Sequence, residues 1–196
     1  MQCAPTKKGH ASVFLLMLLA MLCLGGCALL RPVEPELLPP LLHIAPSLLG
    51  ERTVEQRLVI RWPGGERSME AVLEIAGDRL QLVALTFGMR LMSLEYDGVT
   101  VRAERALPML PSGERMTNDL LMIAAPLDTL RRALPENWRV TESKNEQQNT
   151  LRREIAQGDE IWGVIDYASD TASPWQGRVE FTHTEGYQLI LDSHEL

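Results

Sequence analysis

From Thr53 to Ala103 the apolar residues fall at alternate positions, interrupted at short intervals by Gly, Pro and Asp. A period of two sends successive side chains to opposite faces of a strand, whereas a helix repeats near 3.6. Leu58, Ile60 and Trp62 share one face. After Pro63-Gly64-Gly65 come Met69, Ala71, Leu73 and Ile75, with Glu70 and Glu74 opposite. Gly77-Asp78 opens a run from Leu80 to Phe87 that is apolar on both faces, and Gly88 leads into Leu91 to Tyr96. Asp97-Gly98 is a strong turn signal, and Val99, Val101 and Ala103 continue the pattern. Five consecutive antiparallel strands are expected.

Pro108, Pro111 and Gly113 stop this meander. Thr117 or Asn118 is expected to cap a helix whose side chains Leu120, Leu121, Ile123 and Ala124 cover one side. Pro126 lacks the N–H that a helix interior needs but suits the first turn of a second helix, with Leu127, Leu130 and Leu134. Beyond Pro135 strands are expected at Trp138 to Thr141, Leu151 to Ile155, Ile161 to Tyr167, Gly177 to Thr184 and Tyr187 to Asp192, with Glu142 to Asn149 as a mobile loop. The implied fold is mainly β, with no βαβ rhythm. It is a curled antiparallel sheet or incomplete barrel covered by a broken helical pair, with space between the two for an apolar pocket.

The N-terminus follows a different logic. Lys7 and Lys8 precede an uncharged apolar run, Ala11 to Leu24, that closes on Leu24-Gly25-Gly26-Cys27. This order of basic, apolar and small residues is that of a secretory signal peptide, and the last four residues resemble the lipobox of bacterial lipoproteins. Cleavage before Cys27 would leave a lipid-bearing N-terminal cysteine carrying a covalent diacylglycerol and an N-acyl chain. Cys23 is a poorer acceptor because Leu22 is bulky for the cut. The alternative is an uncleaved membrane helix, since Ala11 to Leu30 is about 20 residues long, enough to span a bilayer. Both readings place the rest outside the cytoplasm. The expected organisation is a signal peptide at 1–26, a lipidated Pro/Leu-rich tether at 27–50 and a single domain at 51–196. Leu37, Leu38, Leu41, Leu42 and Ile44 make that tether unusually apolar, so it either packs in part as a short helix on the domain or lies along its surface.

Removing residues 1–26 takes away only Lys7 and Lys8, so the net charge moves from −7 to −9. With no cluster of Lys and Arg, nucleic acid is not an expected partner. Membrane attachment would rest on the acyl chains, each buried CH₂ giving about 0.8 kcal/mol. Cys3 and Cys23 leave with the signal peptide and Cys27 takes the lipid, so the domain has no disulfide and no zinc-type cysteine site.

Nothing in the chain resembles an HExxH, a GxSxG or a phosphate-cradling glycine loop. His43 lies in the tether and His194 near the C-terminus, while His183 sits beside Phe181 on an expected strand, where a lone histidine reads as structural. No catalytic residue, metal ligand or cofactor is therefore assigned, and the chain is not expected to be an enzyme. Trp62, Trp138, Trp162 and Trp175 read as core or rim. Met69, Met89, Met92, Met109, Met116 and Met122 suit either a pocket for variable acyl chains or an ordinary core.

Phe87-Gly88-Met89-Arg90-Leu91 running into Tyr96-Asp97-Gly98, Leu130-Arg131-Arg132-Ala133-Leu134-Pro135 with Trp138-Arg139, and the closing Gly177-Arg178-Val179, Gly186-Tyr187 and Leu191-Asp192-Ser193 together resemble a family of uncharacterised bacterial lipoproteins. Its members are often encoded with aryl polyene biosynthesis, and it is thought to be similar in fold to the lipoprotein carriers LolA and LolB. The resemblance implies an incomplete barrel with an apolar cavity for acyl chains. It also implies an outer-membrane position facing the periplasm, which Ala28 fits in place of the usual retention aspartate. An equivalent of the protruding apolar loop of LolB is not evident, though Leu107 to Met116 occupies a comparable place. The expected function is to bind, or help place in the envelope, a lipid-linked product or lipoprotein. Candidate pocket residues are Leu73, Ile75, Leu82, Leu94 and Tyr96 on the sheet and Leu121, Leu127 and Leu130 on the cover. The alternative is a non-catalytic adaptor that anchors an envelope or biosynthetic complex, with a filled core and an exposed apolar patch for envelope proteins.

Overall fold

The structure is a computed structural model and describes residues 40–106, 110–147, 149–169, 173–184 and 186–196. Cys27, the signal peptide and the tether before Pro40 lie outside the described residues. The fold is mainly β, a ten-stranded antiparallel sheet with two helices, and the sheet is not closed. The strands are β1 (Arg52–Trp62), β2 (Gly65–Ala76), β3 (Arg79–Thr86), β4 (Met89–Tyr96), β5 (Val101–Arg105), β6 (Trp138–Asn145), β7 (Thr150–Gln157), β8 (Glu160–Tyr167), β9 (Gly177–His183) and β10 (Gln188–Glu195). The helices are α1 (Gly113–Ala124) and α2 (Leu127–Ala133).

The strand order β5-β4-β3-β2-β1-β10-β9-β8-β7-β6 explains why the helices become a cover. The chain steps outwards from the middle to one edge, β5, and must reach the opposite edge, β6, before stepping back to the middle. The helical pair is the connection between the edges, with α1 packed on β5 and α2 on β6. The first and last strands then pair at the centre, Leu58 opposite Leu191 and Ile60 opposite Leu189.

Alternation fixes which face is buried. In β2, Met69, Ala71, Leu73 and Ile75 are all at most 3% exposed, while Glu70 and Glu74 face solvent. Burial of such a side chain contributes about 1.5–3 kcal/mol, so a one-residue slip would lose every contact of the strand at once. Register shifts at Ala84/Leu85 and Ile155/Ala156 place a bulge in each half of the sheet, which adds local bend and twist.

Two expectations need correcting at α1 and β6. The cap of α1 is Ser112, whose hydroxyl accepts from the Arg115 N–H at 3.2 Å, and not Thr117 or Asn118. Thr117 is spent inside the helix, donating to the Gly113 carbonyl, and Asn118 reaches out of it. Glycine is required at 113, because a Cβ there would stand 2.5 Å from the Ala103 Cβ on β5. The stretch Glu142 to Asn145 is ladder, paired with Thr150 to Arg153, so the expected loop shrinks to a hairpin turn. Its polar composition misled because β6 is an edge strand, where one face and one edge are solvated.

The last part of the tether, residues 40–50, belongs to the packed unit. Leu42 and Ile44 are each 1% exposed, and Pro46–Leu49 forms a 3-10 turn with Leu49 buried. Asn118 Oδ1 accepts from the Leu42 N–H at 2.8 Å, and Asn118 Nδ2 donates to the Pro40 carbonyl at 3.1 Å. The Tyr96 hydroxyl donates to the Leu42 carbonyl at 2.6 Å and accepts from the Ile44 N–H at 3.0 Å. The segment is thus a strap tied to the cover by one side chain and to β4 by another. With Leu42 and Ile44 in the core, residues 51–196 alone omit part of the packed unit.

Candidate functional site

Between the helical cover and the sheet lies an apolar slot. Its floor is Leu58 on β1, Leu82 on β3, Leu94 on β4, and Leu189 and Leu191 on β10. Its roof is Met116, Leu120 and Ile123 of α1, at the three- and four-residue spacing that puts side chains on one helix face. Gln56 and Tyr187 complete the lining. Gln56, 3% exposed, donates to Ser193 Oγ at 3.0 Å while its carbonyl oxygen has no partner. The slot holds a cavity of only about 30 Å³. That is the size of one water, whereas ligand pockets run to roughly 300–1,000 Å³.

Of the eight side chains expected to line a pocket, Leu82 and Leu94 do so. Leu73, Ile75, Leu121 and Leu130, none more than 2% exposed, are close-packed core outside the slot lining, and Leu127 is half-buried against that core. Tyr96 is also buried, but its hydroxyl is spent on the strap, and burial raises its pKa above the ordinary phenol range, with the Ile44 N–H acting the other way and Asp97 adding to the rise. Leu189, Leu191 and Leu58 were missed as lining. Their alternation is plain in sequence, but the meeting of the first and last strands under α1 is not. Met116 is the methionine that reaches the slot, while Met69, Met92 and Met122 fill core and Met89 is exposed. Trp138, Trp162 and Trp175 are core, as expected.

Two successive turns of α1 meet the sheet through buried charged groups. At the C-terminal end Arg153, whose side chain is 1% exposed, donates to Glu142 Oε1 through Nε and Nη2 at 2.9 and 2.6 Å, and through Nη1 to the carbonyls of Met122 and Ile123. Tyr167 adds a hydroxyl donated to the Ile123 carbonyl at 2.7 Å, and burial drives its pKa well above the phenol range against the pull of Arg153. The last carbonyls of a helix lack intrahelical partners and carry partial negative charge, which is what a guanidinium matches.

One turn earlier, Asp119 of α1 and His183 of β9 stand 3.5 Å apart, Oδ1 to Nε2, with both side chains 1% exposed. Neither carboxylate oxygen and neither ring nitrogen makes a hydrogen bond. The imidazole is stacked 4.1 Å from the Phe181 ring and lies edge-on to Trp162 at 4.5 Å and Tyr187 at 4.9 Å. The Arg115 guanidinium lies 4.8 Å over the Tyr187 ring. Burial, then Asp119, raise the Tyr187 pKa well above the phenol range, against Arg115. Beside Asp119 opens a polar pocket of about 110 Å³ between the strap, the first two turns of α1 and Trp162. Sequence showed His183 on a strand but could not show a buried acid opposite it.

Two apolar side chains point the other way. Phe87, at φ 48°, is 99% exposed at the β3–β4 turn, and Met89 beside it is 63% exposed. Of the segment Leu107 to Met116, residues 107–109 are outside the described residues, Leu110 is buried and the rest leads into α1. No group of His, Cys, Asp and Glu among the described residues could hold a metal ion, and no described helix is long and apolar enough to cross a membrane.

No curated protein matches this chain. Among solved structures, a DUF1329 family protein from Desulfovibrio piger is a distant likeness, 11% identical over 74% of this chain and 84% of that one, with a TM-score of 0.26. A family model described as a protein of unknown function, DUF3261, matches residues 53–195, and the chain belongs to that family.

Proposed function

We propose that the chain is an outer-membrane lipoprotein, anchored through Cys27 and facing the periplasm, that holds an acyl chain of a lipid-linked product or of another lipoprotein between α1 and the sheet. The observation that carries this reading is the apolar slot, roofed by one stripe of α1 and floored by leucines from four strands. The sheet floor is held by continuous ladders, whereas the cover is a connection broken at Pro126 between two edges. At about 30 Å³ the slot is closed, and loading it requires α1 to lift from Leu94 and Leu189. Binding would be apolar and non-catalytic, in the manner of the LolA and LolB carriers, whose fold the family that the sequence resembles is thought to share, with an aryl polyene lipid among the candidate cargoes.

The test is site-specific photo-cross-linking in a host carrying the native pathway. A photoreactive side chain in place of Met116, in the slot, should yield a lipid adduct, while one in place of Val72, on the outer face of β2, should not. Absence of lipid at both positions would sink the proposal.

A second reading, a non-catalytic adaptor that anchors envelope proteins, is favoured by two observations. The core is filled, and Phe87 with Met89 forms an exposed apolar tip. A photoreactive group at 87 would then capture a protein at a discrete mass, and Phe87→Ser would release it without affecting the fold.

A further inference from the structure

The roof and the floor of the apolar slot are joined by a third piece of chain, the strap. The Leu42 N–H donates to Asn118 Oδ1 of α1 at 2.8 Å, and the Leu42 carbonyl accepts from the Tyr96 hydroxyl of β4 at 2.6 Å. Asn118 is two residues from both Met116 and Leu120 of the roof, and Tyr96 is two residues from Leu94 of the floor. One strap residue therefore bridges the two surfaces that must part for the slot to load. When α1 rises from Leu94, Leu42 cannot keep both partners. The strap either stays on the sheet and loses Asn118, or leaves with α1 and loses Tyr96.

The strap also occupies the continuation of the slot. Leu82 opposite Leu94 forms part of the slot floor, and the next inward-facing pair on the same two strands is Leu80 opposite Tyr96, where the strap is tied. Leu42 and Ile44, each 1% exposed, belong to the same apolar cluster as that pair. Residues 40–45 pair with none of the described strands, and the Tyr96 hydroxyl and the Asn118 amide take the place of a ladder. A segment held by side chains from two residues opens more readily than the ladders beneath it. A cavity vacated by one leucine-sized side chain is on the order of 150 Å³. Withdrawal of Leu42 and Ile44 would thus add about 300 Å³ to the slot, which reaches the lower end of the range for ligand pockets.

We propose that residues 40–45 are a built-in occupant of the acyl-chain site. Leu42 and Ile44 fill the Leu80–Tyr96 end of the groove when no cargo is bound, and an incoming acyl chain displaces them as the strap leaves Tyr96 together with α1. The inference rests on the acyl-chain reading and supplies its regulation: strap and cargo compete for one surface, so whatever weakens the strap strengthens loading.

The test compares cargo capture with strap opening in the full chain made in a host carrying the native pathway. Capture is the yield of lipid adduct from a photoreactive side chain in place of Met116, with illumination kept short so that yield reports occupancy. Opening is hydrogen exchange at Leu42 and Ile44 in the chain reconstituted in lipid nanodiscs. Tyr96→Phe removes both hydrogen bonds of the hydroxyl, and Leu42→Ala shrinks the occupant while keeping its backbone bonds. Ile155→Val, a core change on β7 away from strap and slot, controls for general loosening. Each strap variant should raise exchange at Ile44 and adduct yield together by five- to tenfold, and the control should raise neither by more than twofold. An adduct yield that the strap variants leave unchanged, or that the control raises equally, overturns the proposal and leaves acyl-chain binding standing. An Ile44 amide that exchanges only in step with Leu58 of β1 also overturns it, since the strap would then open only with the whole fold. Absence of lipid adduct from every variant removes the acyl-chain reading and this proposal with it.

Discussion

Two successive turns of α1, at Asp119 and at Met122 and Ile123, solve the same problem differently. At Ile123 the helix terminus, Arg153, Glu142 and Tyr167 form a closed network in which each donor finds an acceptor. Around Asp119 an acid and an imidazole are equally buried, yet none of their four polar atoms makes a hydrogen bond. A satisfied network fixes geometry, whereas an unsatisfied one weakens an interface and marks a place where something else binds or moves. The account therefore makes the last turn of α1 a fixed point of the cover and the contact of Asp119 with β9, one turn earlier, its weak point.

The largest expected effect lies at the last turn of α1. Arg153→Met should cost about 3–5 kcal/mol in urea unfolding, since it strands Glu142 and two helix-terminal carbonyls. Adding Glu142→Leu should recover most of that loss, and a double variant as unstable as the single one would deny that the network is the cause. Next comes the strap. Tyr96→Phe leaves the Leu42 carbonyl and the Ile44 N–H without their partner and should cost about 1–3 kcal/mol, with faster hydrogen exchange at Ile44 before any change at Leu58.

Smaller still, and opposite in sense, is Asp119→Asn. It removes a carboxylate that no hydrogen bond satisfies, so stability should change by no more than about 1 kcal/mol or rise. A loss as large as that of Arg153→Met would erase the contrast between the two turns. The smallest effect concerns the Asp97-Gly98 turn. The N–H groups of Thr100 and then Val99 hold the Asp97 carboxylate below its ordinary pKa. Its contribution is present above the unfolded carboxylate pKa and fades as pH falls through the lowered folded value. Asp97→Asn should accordingly flatten the acid limb of the stability curve slightly, and an unchanged limb would remove the turn from that account.

The sheet was legible because alternation is a local property: Met69, Ala71, Leu73 and Ile75 declare their face without reference to any partner. The positions of all ten strands and both helices followed from the same kind of signal, apart from their ends. What failed depends on partners distant in sequence. Ser112 rather than Thr117 caps α1, because Thr117 bonds back into the helix and Asn118 is claimed by a strap residue 76 positions away. The stretch Glu142 to Asn145 reads as a loop until β7 and the buried Arg153 give it a partner. At the candidate site, Leu82 and Leu94 were legible as pocket lining, whereas Leu189 and Leu191 were not, because only the pairing of β1 with β10 puts them beneath α1. Asp119 facing His183 had no local signal.

Native mass spectrometry of the full chain, purified from a host carrying the native pathway and followed by solvent extraction, bears most directly on the acyl-chain reading. The account predicts one non-covalently bound lipid per chain, lost when Leu120 is replaced by Asp in the roof of the slot. A chain that carries no non-covalent lipid and takes up none when it is added, with the Leu120→Asp variant indistinguishable from it, would contradict the account and leave the adaptor.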